Sequence, residues 1–130
     1  MRKDKAYLRH PSNRVDFAQL GVNAVSKVDV IPLYADYVAA HLPQGDGVVH
    51  KLVLPNVSEA TGKFVTVRVD EGAGEVGTGA AVEVRADDSA RSSNDGAFTN
   101  GLIKSFVEAG YLLLYCDGDD WFVLSQAPSV

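Results

Sequence analysis

Two apolar runs face each other along the sequence, YLLLYC at 111–116 and WFVL at 121–124. The four polar residues DGDD at 117–120 separate them. Asp and Gly favour tight turns, because Gly adopts positive φ freely and an Asp carboxylate can accept hydrogen bonds from nearby backbone N–H groups. We therefore predict a β-hairpin in which Cys116 lies opposite Trp121. This hairpin constrains the fold more than any other feature, because both of its faces are apolar.

Side chains alternate between the two faces of a strand, so the predicted hairpin sorts its apolar residues into two sets. One face carries Leu112, Leu114, Cys116, Trp121 and Val123, and the other carries Leu113, Tyr115, Phe122 and Leu124. Burying the second set removes on the order of 400–600 Å² from water, which is roughly 10 kcal/mol as an upper bound. Exposed patches of this size are rare on soluble monomers. We favour a subunit interface over this face, and coverage by the N-terminal part of the chain is the alternative.

From Asp46 onward the sequence predicts one strand after another. Residues 63–70 (KFVTVRVD) place Val65, Val67 and Val69 on one face, and residues 80–87 (AAVEVRAD) repeat the pattern. A period of two is typical of strands with one wet and one dry face, as in antiparallel sheets. The spacing predicts an all-β domain over residues 46–130. We expect an antiparallel β-sandwich or small barrel of about seven or eight strands.

Residues 1–45 differ in character, with prolines at positions 11, 32 and 43. The stretch LYADYVAAHL (33–42) is predicted to form a short helix, since Pro32 suits a first helical turn and Pro43 would end it. The preceding AVSKVDVIP (24–32) alternates and is predicted to form a short strand. We therefore interpret residues 1–45 as an irregular N-terminal arm that contains a short helix.

Charge is distributed unevenly between the two ends of the chain. Residues 1–14 hold five cations against the single anion Asp4, a net of +4, so the chain total of −5 leaves −9 for residues 15–130. The five cations are Arg2, Lys3, Lys5, Arg9 and Arg14. A basic end on an acidic body is typical of a segment that docks on something negative. Nucleic acid, a neighbouring copy and another acidic protein are open candidates, as is a solvated terminus that binds nothing.

Composition excludes several classes of function. The longest apolar runs are far shorter than the roughly 20 residues that span a bilayer, so we expect no membrane partner. The basic start is not followed by an apolar core, so we expect no secretory signal. Cys116 is the only cysteine, which rules out an internal disulfide and favours a small buried hydrophobic residue. The acidic body would repel a nucleic-acid backbone, so we expect no direct nucleic-acid partner.

The sequence carries no pattern that specifies catalysis or a cofactor. Asp117, Asp119 and Asp120 have the oxygen ligands that calcium prefers, but the chain turns straight back into a strand instead of forming a long binding loop. The three histidines, at 10, 41 and 50, lack the spacing of a zinc site. No nucleophile elbow is present. We therefore predict a protein that is not an enzyme, with no metal site, no catalytic residue and no cofactor.

Over residues 48–126 the order of motifs resembles a small β-domain that recurs in structural proteins of tailed bacteriophages. The matching motifs are KLVLPN, then GKFVTVRVD, a Gly-rich turn, a second alternating strand, and AGYLLLYCDGDDWFVLS. In that family an LP-ended strand precedes a Gly-containing strand, and the domain ends with a leucine-rich strand, a short Gly/Asp/Asn turn and W-x-V-L. Members occur as head decoration (cement) proteins and in fibre or tail-associated proteins, and many are trimers.

The resemblance implies a virion structural protein, made in the host cytoplasm and located on the capsid surface. It would act as a homotrimer that binds the major capsid protein and stabilises the head shell. In this interpretation the basic residues of the arm contact the shell, and the second hairpin face forms the oligomer interface. The family also allows a tail or head-fibre protein with a receptor- or carbohydrate-binding role, for which the candidate exposed aromatic residues are Phe98 and Tyr111.

Overall fold

The residues that the structure describes form nine β-strands joined by turns and loops, and they contain no helix. The structure is a computed structural model, and it describes residues 14–16 (backbone only), 28–72, 74–86 and 101–128. The strands are β1 (Arg14–Asp16), β2 (Val28–Val30), β3 (Tyr37–His41), β4 (Val49–Val53), β5 (Phe64–Asp70), β6 (Ala81–Arg85), β7 (Leu102–Phe106), β8 (Gly110–Cys116) and β9 (Trp121–Ala127). Sheet A has the order β1-β3-β5-β8-β9, and sheet B has the order β2-β4-β6-β7.

The first six strands alternate between the two sheets, so this part of the chain winds as a flattened coil. Each odd strand lies in sheet A and each even strand lies in sheet B. Strands that are neighbours within a sheet therefore run in the same direction, and β1–β3, β3–β5, β2–β4 and β4–β6 all pair in parallel. The last three strands break this alternation. They pair antiparallel as β6–β7, β5–β8 and β8–β9.

The all-β prediction is confirmed, and of the predicted sandwich and barrel the two sheets fit a sandwich, but the prediction of antiparallel pairing is wrong. Both sheets are mixed. An alternating pattern indicates that one face of a strand is buried and the other is exposed. Parallel strands in a two-sheet fold can have such faces as well, so the pattern does not specify pairing direction. Pairing direction depends on where the chain crosses between sheets, which local alternation does not encode.

The predicted helix at 33–42 is also wrong, because residues 37–41 form β3, which lies between β1 and β5 in sheet A. Val38 and Ala40 lie in the core cluster, and Ala39 between them is also buried. Pro32 begins a turn instead of a helix, since its carbonyl accepts a hydrogen bond from the Ala35 N–H at 3.0 Å. Pairing with β5 and β1 on its two edges overrides the weak local helix preference of this segment.

The core is one contiguous cluster of buried side chains that joins the two sheets. Sheet A contributes Val38, Ala40, Val65, Val67, Val69, Leu112, Leu114 and Cys116, and sheet B contributes Leu52, Val82, Val84 and Phe106. The predicted inward set of β5 is thus confirmed. The indole Nε1–H of Trp121 donates to the Pro55 carbonyl at 3.2 Å, which ties the last hairpin to the end of β4.

The described part of the predicted N-terminal arm belongs to both sheets. β2 pairs with β4 in sheet B, as the predicted short strand within 24–32 requires, and β3 pairs with β5 in sheet A. Ile31 and Leu42 lie in the core cluster. Much of residues 1–45 lies outside the described residues, so the boundary between 45 and 46 stays a prediction.

The Gly-rich segment 71–79 connects β5 in sheet A to β6 in sheet B and does not form a hairpin loop. It lies against the equivalent connection between β3 and β4. The Gly77 N–H donates to the Pro43 carbonyl at 3.0 Å, and the Gly47 N–H donates to the Thr78 carbonyl at 2.6 Å. These contacts stack successive turns of the coil at one end of the molecule.

Candidate functional site

Residues 117–120 (DGDD) form the turn of the predicted β8–β9 hairpin, with Cys116 paired to Trp121 as expected. The Asp117 carboxylate accepts hydrogen bonds from the Asp119 N–H at 2.8 Å and the Asp120 N–H at 2.9 Å. The bonds from Asp120 first, and then from Asp119, lower the pKa of the exposed Asp117 carboxyl below its ordinary value of 3.8. Asp117 therefore acts as the hydrogen-bond acceptor that holds the turn.

Among the described residues no group of three or more His, Cys, Asp or Glu side chains is placed to hold a metal ion. The part of the chain that the structure describes also contains no helix long and apolar enough to cross a membrane. His50 and Cys116 are both buried, and the Cys116 thiol points to the Val57 carbonyl at 3.5 Å. His41 lies at the end of β3 with its Nδ1 against the Asp70 carboxylate.

The outer face of sheet A carries an apolar patch at the end where β5 begins. Its residues are Phe64, Leu113, Tyr115, Phe122 and the adjacent Leu124. Phe64, Tyr115 and Phe122 lie in register across β5, β8 and β9, and the rings of Phe64 and Tyr115 are 4.8 Å apart. Leu113 and Tyr115 are half-buried, whereas Phe64 is 54% exposed, Phe122 45% and Leu124 53%. Of the four predicted interface residues, Leu113, Tyr115 and Phe122 thus share one face, and Leu124 lies nearby on β9.

The predicted inner set of the hairpin is buried except at Val123. Leu112, Leu114, Cys116 and Trp121 lie in the core cluster. Val123 pairs with Leu114 but remains 39% exposed. The β8–β9 register shifts between Leu113, which pairs with Ser125, and Leu114, so Leu124 is an extra residue in a bulge. A bulge increases the local twist of a strand and interrupts the regular alternation of its side chains. This explains why Val123, which was predicted to face inward, remains exposed.

β9 is the outermost strand of sheet A at the apolar end of that face. Its seven residues, WFVLSQA, include no charged residue and no proline. Natural proteins commonly blunt exposed edge strands with charge, proline or very short length, because free backbone groups on an edge recruit other strands. In the part of the chain that the structure describes, the bulge is the one such protective feature of β9, so the strand is a surface suited to contact with another chain.

Phe64 belongs to the apolar patch but was not among the residues predicted from the sequence. The alternation that sends Val65, Val67 and Val69 inward also sends Phe64 outward, so the signal was present in residues 63–70. Its neighbour in space, Tyr115, is 51 positions away in sequence, and only the antiparallel pairing of β5 with β8 brings them together.

An open groove of about 470 Å³ adjoins the patch on the same face, because Thr66 in its lining pairs with Leu113. Its lining includes Tyr37 from β3, Thr66, Arg68 and Asp70 from β5, and Gly110 and Tyr111 from β8. Tyr111 was predicted as an exposed aromatic residue, and it is 40% exposed. Its hydroxyl lies 3.0 Å from the Ser125 hydroxyl.

The predicted shell-binding cations Arg2, Lys3, Lys5 and Arg9 lie outside the described residues, as does the candidate aromatic residue Phe98. Arg14 begins β1, where its backbone pairs with Tyr37. The roles assigned to these residues stay predictions.

The chain matches no protein-family model, no curated protein and no solved structure.

Proposed function

We propose that the chain is a non-enzymatic structural protein of a tailed-bacteriophage virion. In this proposal it is a decoration protein that binds the head shell as a homo-oligomer, with a trimer as the expected form. The observation that carries the proposal is the apolar patch at the end of sheet A, next to the uncharged edge strand β9. The motif order over residues 48–126, which resembles phage structural domains, points to the same class.

The size of the patch indicates what an interface must include. Aromatic side chains bury about 150–250 Å² each, so the exposed halves of Phe64, Phe122 and Leu124 offer roughly 250–300 Å². Each partner in a standard interface contributes about 800 Å². The patch therefore supplies about a third of one side, and the rest must come from neighbouring surface such as the edge of β9. We assign the patch the role of hydrophobic centre in the subunit interface.

The charge distribution supports a second contact, with the shell. The basic residues of positions 1–14 oppose a body that sums to −9 over residues 15–130. In the proposal these cations pair with acidic patches on the major capsid protein. Many weak contacts spread over adjacent shell subunits would then resist outward pressure on the shell. Because exposed ion pairs are screened by salt, binding through this segment should weaken as ionic strength rises.

Co-sedimentation with undecorated phage head shells tests the proposal. The intact chain should pellet with shells and saturate at a fixed ratio to the capsid subunit. A variant with Arg2, Lys3, Lys5 and Arg9 changed to Gln should bind more weakly and lose most of its salt dependence. Lys51→Gln, in sheet B, is the matched control and should bind as the unmodified chain does. Absence of the unmodified chain from the pellet at low salt would contradict the shell-binding role.

A further inference from the structure

The groove on the outer face of sheet A combines features of a ligand site, and these are distinct from those of the apolar patch. Arg68 lies in register with Tyr111 on β8, and Tyr37 on β3 is paired to Thr66, two positions before Arg68. Because β3 and β8 flank β5 at about 4.8 Å each, the two tyrosines stand on strands roughly 10 Å apart. The strand that carries Arg68 thus lies between the strands that carry Tyr37 and Tyr111.

Arg68 is the exposed charge of this groove. None of the carboxylates that the structure describes forms an ion pair with it, although Asp70 is two positions away on the same face. The Asp70 carboxylate is already engaged through Oδ1, which contacts His41 and accepts a hydrogen bond from the Gly72 N–H at 3.0 Å. A guanidinium presents a planar fork of donors that matches a carboxylate in two parallel hydrogen bonds.

The remaining lining is suited to a sugar ring. Tyr37 and Tyr111 offer aromatic surface with a polar tip, and the small residues Ala109 and Gly110 leave the rim open. The Asp70 carboxylate and the Thr66 hydroxyl supply an acceptor and a donor within the same groove. An acidic sugar has the matching chemistry, with a carboxylate, hydroxyl groups and an apolar ring face.

We propose that this groove binds an acidic monosaccharide unit, a uronic or sialic acid, with its carboxylate on Arg68 and its ring against Tyr37 and Tyr111. The site goes beyond the assembly role, and Arg68 lies four positions along β5 from Phe64 in the apolar patch. At about 3.4 Å per residue this separation is roughly 14 Å. The two surfaces meet at the row of Tyr37, Thr66 and Leu113, and Arg68 and Tyr111 lie one row beyond the patch.

Titration of the intact chain with sodium glucuronate and with N-acetylneuraminate, followed by two-dimensional NMR, tests the site. The amide signals of residues 37, 66–70 and 110–111 should shift with at least one of the two sugars. Glucose and sodium acetate serve as matched probes that carry only the ring or only the anion. The acidic sugar should bind at least tenfold more tightly than either of them.

Variants then test the assigned contacts. Arg68→Gln should weaken binding of the acidic sugar by about ten- to hundredfold, as expected for a lost hydrogen bond to a charged group. Arg68→Lys should bind with intermediate affinity, and Lys51→Gln should bind as the unmodified chain does. The proposal is overturned by absent shifts with both sugars, by acetate binding as tightly as the sugar, or by unchanged binding in Arg68→Gln. Because Arg68 is exposed, its variants should retain the amide spectrum of the folded chain.

Discussion

The Asp117 side chain accepts two backbone hydrogen bonds inside a turn whose next residue, Gly118, has a φ of +103°. A β-carbon at Gly118 would also lie 3.0 Å from the Thr61 hydroxyl oxygen. The turn therefore depends on Asp at position 117 and Gly at position 118. Turn chemistry of this kind is local, which is why DGDD predicted the hairpin and the pairing of Cys116 with Trp121 from sequence alone.

The lowered pKa of Asp117 gives a prediction with a defined sign. A carboxyl whose folded pKa lies below its ordinary value contributes stability above that value, and the contribution disappears as the pH falls through the folded pKa. Asp117→Ala should lower the melting temperature at neutral pH by a few degrees. The difference from the unmodified chain should shrink as the pH falls below 3.8. Thermal unfolding followed by circular dichroism across this range measures both.

Asp119→Ala is the matched control for that series, because it removes a neighbouring carboxylate but leaves the Asp117 acceptor and the backbone donors in place. Its melting temperature should stay close to that of the unmodified chain. A stability difference for Asp117→Ala that is constant from neutral to acidic pH would show that the ionised carboxylate does not hold the turn.

At the scale of elements, the sequence predicts which face of a strand is buried. It does not predict which strand, distant in sequence, pairs with it. The inward valines of β5 follow from alternation alone. The identity of β3 does not, because Tyr, Val and Ala over residues 37–40 tolerate a helix as well as a strand, and its parallel pairing with β5 decides between them. Phe64 in the patch and the groove around Arg68 likewise exist only once β3, β5 and β8 are paired.

The contact between the start of β8 and the end of β9 offers a test of the pairing of these two strands. Gly110 pairs with Val69 on one side, and a β-carbon added to it would lie 2.0 Å from the Ala127 carbonyl oxygen of β9. Gly110→Ala should therefore push the end of β9 away and reduce the free energy of unfolding by about 1–3 kcal/mol, as for other overpacked sites. Urea denaturation monitored by Trp121 fluorescence measures the change.

The neighbouring exposed residue Ala109 supplies the comparison for Gly110. Ala109→Ser should change the free energy of unfolding by less than about 0.5 kcal/mol, as surface substitutions usually do. Equal effects of the two substitutions, or a Gly110→Ala chain as stable as the unmodified one, would contradict the close approach of β8 and β9.

At the scale of the whole molecule, one coil of two sheets buries a single core and leaves the two ends of one outer face with different chemistry. One end is the apolar patch beside β9, which we assign to contact with other copies. The other end is the groove around Arg68, which we assign to a sugar ligand. The hairpin sequence predicted the first surface, because both its faces are apolar. The second surface combines residues from three strands that are dispersed along the chain, so no single motif could predict it.

The native mass of the intact chain in solution, measured by light scattering after size-exclusion chromatography, shows whether copies of the chain associate. We expect an oligomer, with three times the mass of one chain. The double variant Phe122→Ser and Leu124→Ser should shift the population toward single chains. Val107→Ser, at a more exposed apolar residue just beyond β7, should not. An unmodified chain that elutes with the mass of one copy at all concentrations would contradict the claim that the apolar patch is a subunit interface.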